Sequence, residues 1–397
     1  MTLTFTEARE SVLREVASLN ETEEVPLPES DGRILAEPVT ADRDYPPFPR
    51  SARDGFAVRA ADLPGELRVI GEVRAGEMFQ GSVAPGEAVE IMTGAPLPAG
   101  ADAVIMIEHV NRTDARVTIQ RTQSPGDNFT PRGAEAHKGA PVLDPGTRLG
   151  FAEVAALVMV GRPCVSVYRR PRVSILPTGD EIVEAGDRPE EFQIRNSNAW
   201  SLSVQVRRAG GIPEILPIAR DHYESTRASI ERGLEADLLL LSGGVSAGKY
   251  DIVERVLADF GARFFFDRVL IQPGQPLVFG AVFGTAQNKF FFGLPGNPAS
   301  TMVTFELFAR AAIEKLSGRS TTPLPLLRAT LTRDFHHKPG LTRFLPAHVS
   351  DDGASVTPQP WQGSGDIASL ARANAFLVAE PDRESWKTGD DIRVLLK

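Results

Sequence analysis

Residues 237–251 read Asp-Leu-Leu-Leu-Leu-Ser-Gly-Gly-Val-Ser-Ala-Gly-Lys-Tyr-Asp. The four consecutive leucines are typical of a strand buried on both faces, as in a parallel sheet covered by helices. Ser242-Gly243-Gly244 ends that strand, and the residues after Asp251 repeat apolar side chains at helical spacing. A glycine loop between a parallel strand and a helix can direct backbone N–H groups at an anion. We therefore predict a phosphate-binding loop; an ordinary tight turn is the alternative, because glycines occur in most loops.

This strand belongs to an alternating series of predicted strands and helices. The predicted elements are strand 173–176, helix 198–209, strand 215–219, helix 223–234 and the leucine strand. The series ends at residues 293–298, Gly-Leu-Pro-Gly-Asn-Pro, where Asn297 suits a helix N-cap and Pro298 the first helical position. Such alternation predicts a doubly wound α/β domain, which we assign to residues 169–320.

The amino-terminal part of the chain carries two helical patterns. A capping box at residues 4–7 opens a first helix that we expect to end near Asn20, and residues 148–160 repeat apolar side chains at helical spacing. We assign both patterns to one split N-terminal domain, residues 1–42 and 141–168.

Two further regions contain short apolar segments separated by turn residues. Residues 43–140 form such a region and predict an inserted β-rich domain. After a proline-containing linker at 321–325, several short strands predict a small β-barrel or sandwich over residues 321–397. The fold class is therefore multi-domain, α/β plus β.

Composition limits the possible partners and compartments. The 397 residues are 42% hydrophobic and 24% charged, with a net charge of −9 and no run of Lys or Arg, which argues against nucleic acid and membrane partners. Cys164 is the only cysteine, so an intrachain disulfide is excluded and a reducing, cytoplasmic location is expected. No signal sequence is indicated, and the longest apolar run, 154–160, is too short to span a bilayer.

Carboxylates recur at breaks between the predicted elements. These residues are Asp54, Glu135, Asp180, Glu181, Asp221 and Asp251. Loop carboxylates can coordinate Mg²⁺ while the metal bridges phosphate oxygens of a ligand. For any one of them a structural role, as a turn or helix-cap residue, is the alternative. The six histidines show no metal-ligand spacing.

Several stretches resemble the MoeA/gephyrin E-domain family, the molybdopterin molybdotransferases. The stretches are residues 46–58, 91–104, 177–182, 242–251, 272–276 and 293–300, which read PPFPRSARDGFAV, IMTGAPLPAGADAV, PTGDEI, SGGVSAGKYD, QPGQP and GLPGNPAS. They follow the family's order over nearly the whole chain. PTGDE and SGGVS are shared with other molybdopterin-binding α/β domains of the type called MogA-like, whereas DGFA and TGAP point to this family.

The resemblance implies a reaction and an assembly. In that family, adenylylated molybdopterin and molybdate react with Mg²⁺ as cofactor; the adenylate is hydrolysed, molybdenum is placed on the dithiolene and AMP is released. The resemblance also implies an elongated four-domain homodimer, with each site formed by the α/β domain of one subunit and the inserted domain of the other. The upstream adenylyltransferase and downstream molybdoenzymes are candidate partners.

Matching the motifs residue by residue implies a set of site residues. The implied catalytic residues are Asp54, Glu135 (where the family usually has Asp), Asp180, Glu181, Asp221 and Asp251, of which Asp180, Glu181 and Asp251 would bind the metal. The implied substrate-binding residues are Thr93, Thr178, Gly179, Ser242, Gly243, Gly244, Ser246, Lys249, Gln272, Gln275, Pro295, Gly296, Asn297, Arg343 and Ser364.

Two departures from the family pattern keep other functions open. Gln272 and Gln275 stand where the family often has lysines, and the loss of two positive charges should weaken an oxyanion site. Arg53 stands where Met is usual; it either compensates for that loss or pairs with Asp54. The alternatives are a paralogue that binds or hydrolyses the adenylylated pterin, or another nucleotide, without efficient metal insertion, and a non-catalytic dimeric scaffold.

Overall fold

A computed structural model describes residues 1–243, 252–284 and 287–397. The chain divides into two compact units. Unit 1 comprises Met1–Ala36, Pro145–Leu149 and Val165–Lys397, and unit 2 comprises Glu37–Asp144 and Gly150–Cys164. The proposed division into four domains stays a prediction, because two units do not test its boundaries.

A seven-stranded sheet forms the centre of the described part of unit 1. Its strands are, in spatial order, Thr2–Leu3, Ala262–Val269, Pro276–Val282, Lys289–Leu294, Leu238–Ser242, Arg172–Pro177 and Ile212–Ile215. Neighbouring strands are parallel except at Pro276–Val282, which is antiparallel to both of its neighbours. The strand predicted at residues 215–219 is observed at Ile212–Ile215, earlier in the chain than expected.

Helices cover both faces of this sheet, as the leucine strand predicts. The helices of unit 1 are Phe5–Glu15, Ser197–Arg208, Tyr223–Gly233, Ile252–Asp259, Pro298–Thr304, Arg310–Leu316 and Ile367–Arg372, with a π-helical turn at Phe305–Ala309. Leu238 and Leu240 pack in one hydrophobic cluster, and Leu239 and Leu241 pack in another. Burial of each such side chain contributes roughly 1.5–3 kcal/mol. The doubly wound α/β fold is therefore confirmed.

The amino terminus joins this sheet, which the sequence did not predict. Thr2 and Leu3 pair in parallel with Arg268 and Val269 at the sheet edge. The helix that follows has the predicted capping box at Thr4 but ends at Glu15, earlier than Asn20. Residues 16–21, which follow it, form neither helix nor strand.

The carboxyl-terminal strands close into a five-stranded barrel. In order around the barrel they are Thr342–Val349, Ser355–Pro358, Leu326–Leu331, Asp391–Leu396 and Ala375–Ala379. Thr342–Val349 pairs with both Ser355–Pro358 and Ala375–Ala379. These two pairings close the barrel, so that each of the five strands has a neighbour on both sides. The prediction of a small β-barrel or sandwich is confirmed as a barrel.

Unit 2 contains a six-stranded sheet. Its strands are, in spatial order, Ala103–Met106, Gly55–Val58, Glu87–Ile91, Gly65–Val73, Arg116–Ile119 and Val110–Thr113. Apolar side chains form a cluster on each side of it, and the helix Phe151–Met159 also belongs to this unit. Of the remaining strands, Ile271–Gln272 pairs in parallel with the barrel strand Thr342–Val349. The others form short pairs: Thr22–Pro26 with Cys164–Tyr168, Val39–Thr40 with Pro141–Leu143, Arg50–Ser51 with Phe129–Thr130, Ile182–Val183 with Ile194–Arg195, and Phe335–His336 with Ser385–Trp386.

Candidate functional site

A cleft of about 290 Å³ lies in unit 1 where three neighbouring parallel strands end. These strands are Arg172–Pro177, Leu238–Ser242 and Lys289–Leu294. In open α/β sheets, ligands bind outside the carboxyl ends of the strands. The residues lining the cleft are Thr178, Glu181, Ile182, Ile194, Arg195, Asn196, Ser197, Asn198, Ser242, Gly243, Gly296, Asn297 and Pro298.

Glycines shape the turns that line this cleft. Gly243 has φ +95°, and a Cβ atom there would lie 2.7 Å from the Thr178 carbonyl oxygen, so a larger residue requires the backbone to move. Gly296 faces it closely, because a Cβ atom on Gly296 would lie 3.7 Å from the Gly243 Cα. Gly179 has φ +138°, and a Cβ atom there would meet the Glu181 carboxylate. The turns after three strands therefore come together around one space.

Two asparagines that the sequence analysis missed also form the wall of the cleft. Asn198 Nδ2 donates hydrogen bonds to Ser242 Oγ at 3.0 Å and to the Gly296 carbonyl oxygen at 2.7 Å. Asn196 is the N-cap of helix Ser197–Arg208, and its Oδ1 accepts from the Ala199 N–H at 3.2 Å. The sequence analysis began this helix at residue 198 and therefore did not consider the residues at its start as site residues. Asn-Ser-Asn ahead of an apolar repeat is a capping signal that could have identified Asn196.

Several buried polar atoms of the cleft residues have no hydrogen-bond partner among the residues described. They are Thr178 Oγ1, Asn196 Nδ2 and Asn198 Oδ1. Buried polar groups in folded proteins are normally paired, so three unpaired atoms around one cleft are unusual. Their concentration there is typical of a ligand site rather than of a packed core.

Three predicted acidic residues lie in two turns at the cleft. Glu181 lines it, and Asp180 Oδ1 accepts a hydrogen bond from the Asp221 N–H at 3.2 Å. Arg220 Nη1 donates to the Asp180 carbonyl oxygen at 3.0 Å, which holds the two turns together. Within the described ranges, no group of three His, Cys, Asp or Glu side chains is arranged to hold a metal ion.

The helix that begins at Pro298 borders the same cleft. Asn297 is its N-cap residue, as predicted, but its side chain makes no capping hydrogen bond and is exposed. The buried Pro295 carbonyl oxygen accepts from Thr301 Oγ1 at 2.5 Å. The Ser364 carbonyl oxygen accepts from the Ala299 N–H at 2.9 Å, which places Ser364 against the start of this helix.

Arg343, a predicted substrate-binding residue from the last part of the chain, lies next to the Gln272–Gln275 turn. Gln272 is exposed and pairs through the backbone with Arg343. Arg343 Nε is buried and has no partner in the described part of the chain. The Gln275 carbonyl oxygen accepts from the Val269 N–H at 3.0 Å. A Cβ atom on Gly274, between the two glutamines, would meet Thr304 at 2.4 Å, so the turn packs tightly on the helix.

Unit 2 contains a second group of predicted residues, the Asp54 turn, which we define as residues 51–55 with 92–94. Asp54 Oδ1 accepts from the Thr93 N–H at 2.6 Å and from Thr93 Oγ1 at 2.8 Å. These two bonds, the backbone bond first, hold the pKa of the Asp54 carboxyl below its ordinary value. Both side chains are exposed. The turn therefore presents an ionised carboxylate to solvent at neutral pH.

Two arginines near this turn have different contacts. Arg50 Nη2 forms an exposed ion pair with Glu135 Oε1 at 2.5 Å. Arg53 is exposed and makes no ion pair with Asp54 in the described structure, so the predicted alternative of such a pair is not observed. The Arg53 backbone is fixed instead by Ser51, whose Oγ donates to the Arg53 carbonyl oxygen at 2.5 Å.

Four of the predicted site residues lie outside the described residues. They are Gly244, Ser246, Lys249 and Asp251. Their proposed roles therefore stay predictions, as do the roles of the residues described above.

Models of three protein-family regions match the chain in succession. The MoeA N-terminal region (domain I and II) matches residues 3–161, a probable molybdopterin binding domain matches residues 174–315, and the MoeA C-terminal region (domain IV) matches residues 328–397. None of the helices in the described ranges is long and apolar enough to cross a membrane.

Individual proteins resemble the chain over almost its full length. The molybdopterin molybdenumtransferase of Bacillus subtilis is 35% identical over 95% of this chain and 90% of its own length. The protein of the same name from a Nostoc species is 35% identical over 95% of this chain and 89% of its own. The crystal structure of a molybdopterin biosynthesis moeA protein from Pyrococcus horikoshii superposes with a TM-score of 0.84, at 30% identity over 100% of both chains.

Proposed function

The chain belongs to the MoeA family, and on that premise we propose that it is a molybdopterin molybdenumtransferase, an enzyme of molybdenum cofactor biosynthesis. In the proposed reaction, water cleaves the pyrophosphate bond of adenylylated molybdopterin. AMP leaves, and molybdenum from molybdate is transferred to the dithiolene sulfurs of the pterin.

One structural observation, the cleft of unit 1, is the main support for this function. The turns that carry Thr178, Ser242, Gly243, Gly296 and Asn297 lie around one cleft at the carboxyl edge of the parallel sheet. A volume of about 290 Å³ accommodates part of a nucleotide-sized ligand. The walls of the cleft carry Glu181 and Arg195 as their charged side chains among the described residues, and the other lining residues are neutral. Such walls suit a polar heterocycle bound beside its phosphate groups.

The residues of the cleft would bind and orient the substrate. The glycine turns allow the substrate to approach the backbone closely, and the exposed Asn297 side chain at a helix N-terminus can donate to a phosphate oxygen. The buried unpaired atoms of Thr178 and the two asparagines are available to fix polar groups. Catalysis would then come mainly from positioning and from charges set before the substrate arrives.

The carboxylates beside the cleft suit Mg²⁺ in their chemistry. Asp180 and Glu181 supply carboxylate oxygens, which are hard ligands, and Mg²⁺ commonly binds to one or two carboxylates together with substrate phosphate oxygens. We propose that these residues hold Mg²⁺, with Asp251 as a further predicted ligand. Bound there, Mg²⁺ would polarise the pyrophosphate group. Asp54, ionised under the influence of Thr93, is the proposed catalytic carboxylate of unit 2.

A homodimer is part of this proposal, because the resemblance implies one. Light scattering should give twice the mass of the 397-residue chain. A monomeric mass at micromolar concentration would contradict both the proposed assembly and the expectation that each site is shared between two subunits.

The test of the function follows the two products separately. Purified protein is incubated with adenylylated molybdopterin, molybdate and Mg²⁺, and AMP and molybdenum-loaded pterin are each quantified. We expect both products, neither in the presence of EDTA, and both again when excess Mg²⁺ is added. AMP without loaded pterin would indicate a paralogue that hydrolyses the adenylate, whereas pterin binding without either product would indicate a scaffold.

A further inference from the structure

We infer that Asn198 is a positioning residue of the cleft, which orients the Ser242 hydroxyl as a hydrogen-bond donor toward the substrate and fixes the separation of two turns. The identity of that substrate rests on the proposed function. The role itself follows from the contacts of one side chain.

The orientation of the Asn198 amide is determined by its neighbours. Its Nδ2 lies 2.7 Å from the Gly296 carbonyl oxygen, which can only accept a hydrogen bond. The same nitrogen lies 3.0 Å from Ser242 Oγ and has a second hydrogen to donate. The amide nitrogen must therefore face both turns, and the Ser242 hydroxyl oxygen receives a hydrogen bond from Asn198.

This arrangement sets the polarity of Ser242. A serine hydroxyl can donate one hydrogen bond and accept others. Because Asn198 can only donate at this contact, the hydroxyl hydrogen of Ser242 must point elsewhere, and among the described residues no acceptor for it is found. Ser242 lines the cleft, so the hydrogen is available to an acceptor atom of the substrate, such as a phosphate or ring oxygen.

The side chain of Asn198 is held rigidly enough for this role. It lies near the start of helix Ser197–Arg208, which Asn196 caps, and it is only 9% exposed. Its Oδ1 finds no partner within the described ranges, and burial of such an atom costs free energy. The contribution of this side chain to the cleft therefore consists of its two donated hydrogen bonds, to Ser242 and to Gly296.

The donor bonds can be removed without a change of shape. Asn198→Asp replaces the donating NH₂ group by an oxygen, and a carboxylate near a helix N-terminus is favourable, so the helix should be retained. The mutation removes the bonds to Ser242 and Gly296 and makes residue 198 an acceptor for the Ser242 hydroxyl. Asn111→Asp, on an exposed strand of unit 2, makes the same chemical change as a control.

The test is a double-mutant cycle with Ser242→Ala. The dissociation constant of adenylylated molybdopterin is measured by equilibrium dialysis without Mg²⁺ or molybdate, so that no turnover is needed. We expect each single variant to bind about tenfold more weakly, which is the size expected for one lost hydrogen bond. The double variant should bind no more weakly than Asn198→Asp alone, because in Asn198→Asp the Ser242 hydroxyl already donates to residue 198 and its loss removes no further substrate contact. Asn111→Asp should bind like the unmodified protein.

Other results would overturn this role. Unchanged binding by Asn198→Asp, or effects that multiply to about a hundredfold in the double variant, would show that Asn198 does not act through Ser242. If Asn198→Asp melts at a clearly lower temperature, Asn198→Ser replaces it in the cycle. An unmodified protein that binds the substrate but releases no AMP would contradict the proposed function alone, since the cycle can still be measured.

Discussion

The cleft of unit 1 and the Asp54 turn of unit 2 both contain predicted site residues, but they differ in how those residues are held in place. In the cleft, turns fixed by buried parallel strands approach so closely that a Cβ atom on Gly243 would contact the backbone. In the Asp54 turn, the two hydrogen bonds that an exposed carboxylate accepts from described residues both come from Thr93. Activity should therefore depend on shape and side-chain size in the cleft, and on charge and pH at the turn.

Removal of the Asp54 carboxylate should have the largest effect. We expect Asp54→Ala to lower the rate of AMP release by at least about a hundredfold, the usual size for loss of a catalytic acid–base group. Because Asp54 is exposed, the thermal melting temperature should change little. Glu77→Ala removes another exposed carboxylate of unit 2 and should keep full activity. Full activity of Asp54→Ala would contradict the role given to the turn.

The shape of the cleft is tested by Gly243→Ala. Gly210 is a matched control, because its φ of +92° is close to the +95° of Gly243, but a Cβ atom on Gly210 would meet nothing within 4 Å. Each substitution should cost about 1–2 kcal/mol of unfolding free energy for the left-handed backbone. Only Gly243→Ala should also weaken substrate binding, by about tenfold or more. Equal binding by the two variants would mean that the close contact with Thr178 is unimportant.

Thr93→Val tests the dependence on charge. The Thr93 bonds lower the Asp54 pKa, so they stabilise the folded protein at neutral pH, and this contribution is lost as the pH falls through the lowered pKa. Without the hydroxyl the Asp54 pKa should rise, and the acidic limb of the pH–rate profile should move to higher pH. Thr113→Val, an exposed strand residue, should leave the profile unchanged. An unmoved acidic limb in Thr93→Val would show that ionisation of Asp54 does not limit the rate.

The smallest effect is expected at Glu135. Its ion pair with Arg50 is exposed, with 46% of the Glu135 side chain accessible, so Glu135→Gln should change the unfolding free energy by less than about 1 kcal/mol. Arg50→Gln breaks the same pair and is the control. If Glu135 contacts the substrate, only Glu135→Gln should slow AMP release. Equal slowing by both variants would assign the pair a structural role.

Local patterns predicted most of the fold. Four leucines bounded by a charge and glycines specified the central strand, and the short apolar segments after the 321–325 linker indicated the β-rich region whose strands, such as Leu326–Leu331 and Ala375–Ala379, form the barrel. The end of the first helix was not predicted, because Val16 and Leu19 continue the apolar repeat and are buried although they lie outside the helix, and the Leu19 N–H is bonded to the Leu316 carbonyl oxygen. A contact so distant in sequence leaves no local signal.

The candidate site was predicted less completely than the fold. Glycine turns at strand ends identified the loops of Thr178, Ser242 and Gly296. Asn198 was missed because its importance lies in two contacts with residues 44 and 98 positions away, which no spacing shows. The roles of Asp54 and Arg343 came from the family resemblance, since an isolated Asp in a turn or an isolated Arg in a strand has no distinctive pattern.

The pairing of the first strand has a consequence for the order in which the protein is made. Thr2 leaves the ribosome early, yet its neighbour in the sheet, Arg268, is synthesised only after two thirds of the chain. Until then the first helix has no completed sheet against which to bury Ala8 and Val12. Contacts this far apart slow folding and leave apolar surface uncovered during synthesis. The nascent chain therefore depends on its later segments, or on a chaperone, to shield its own beginning.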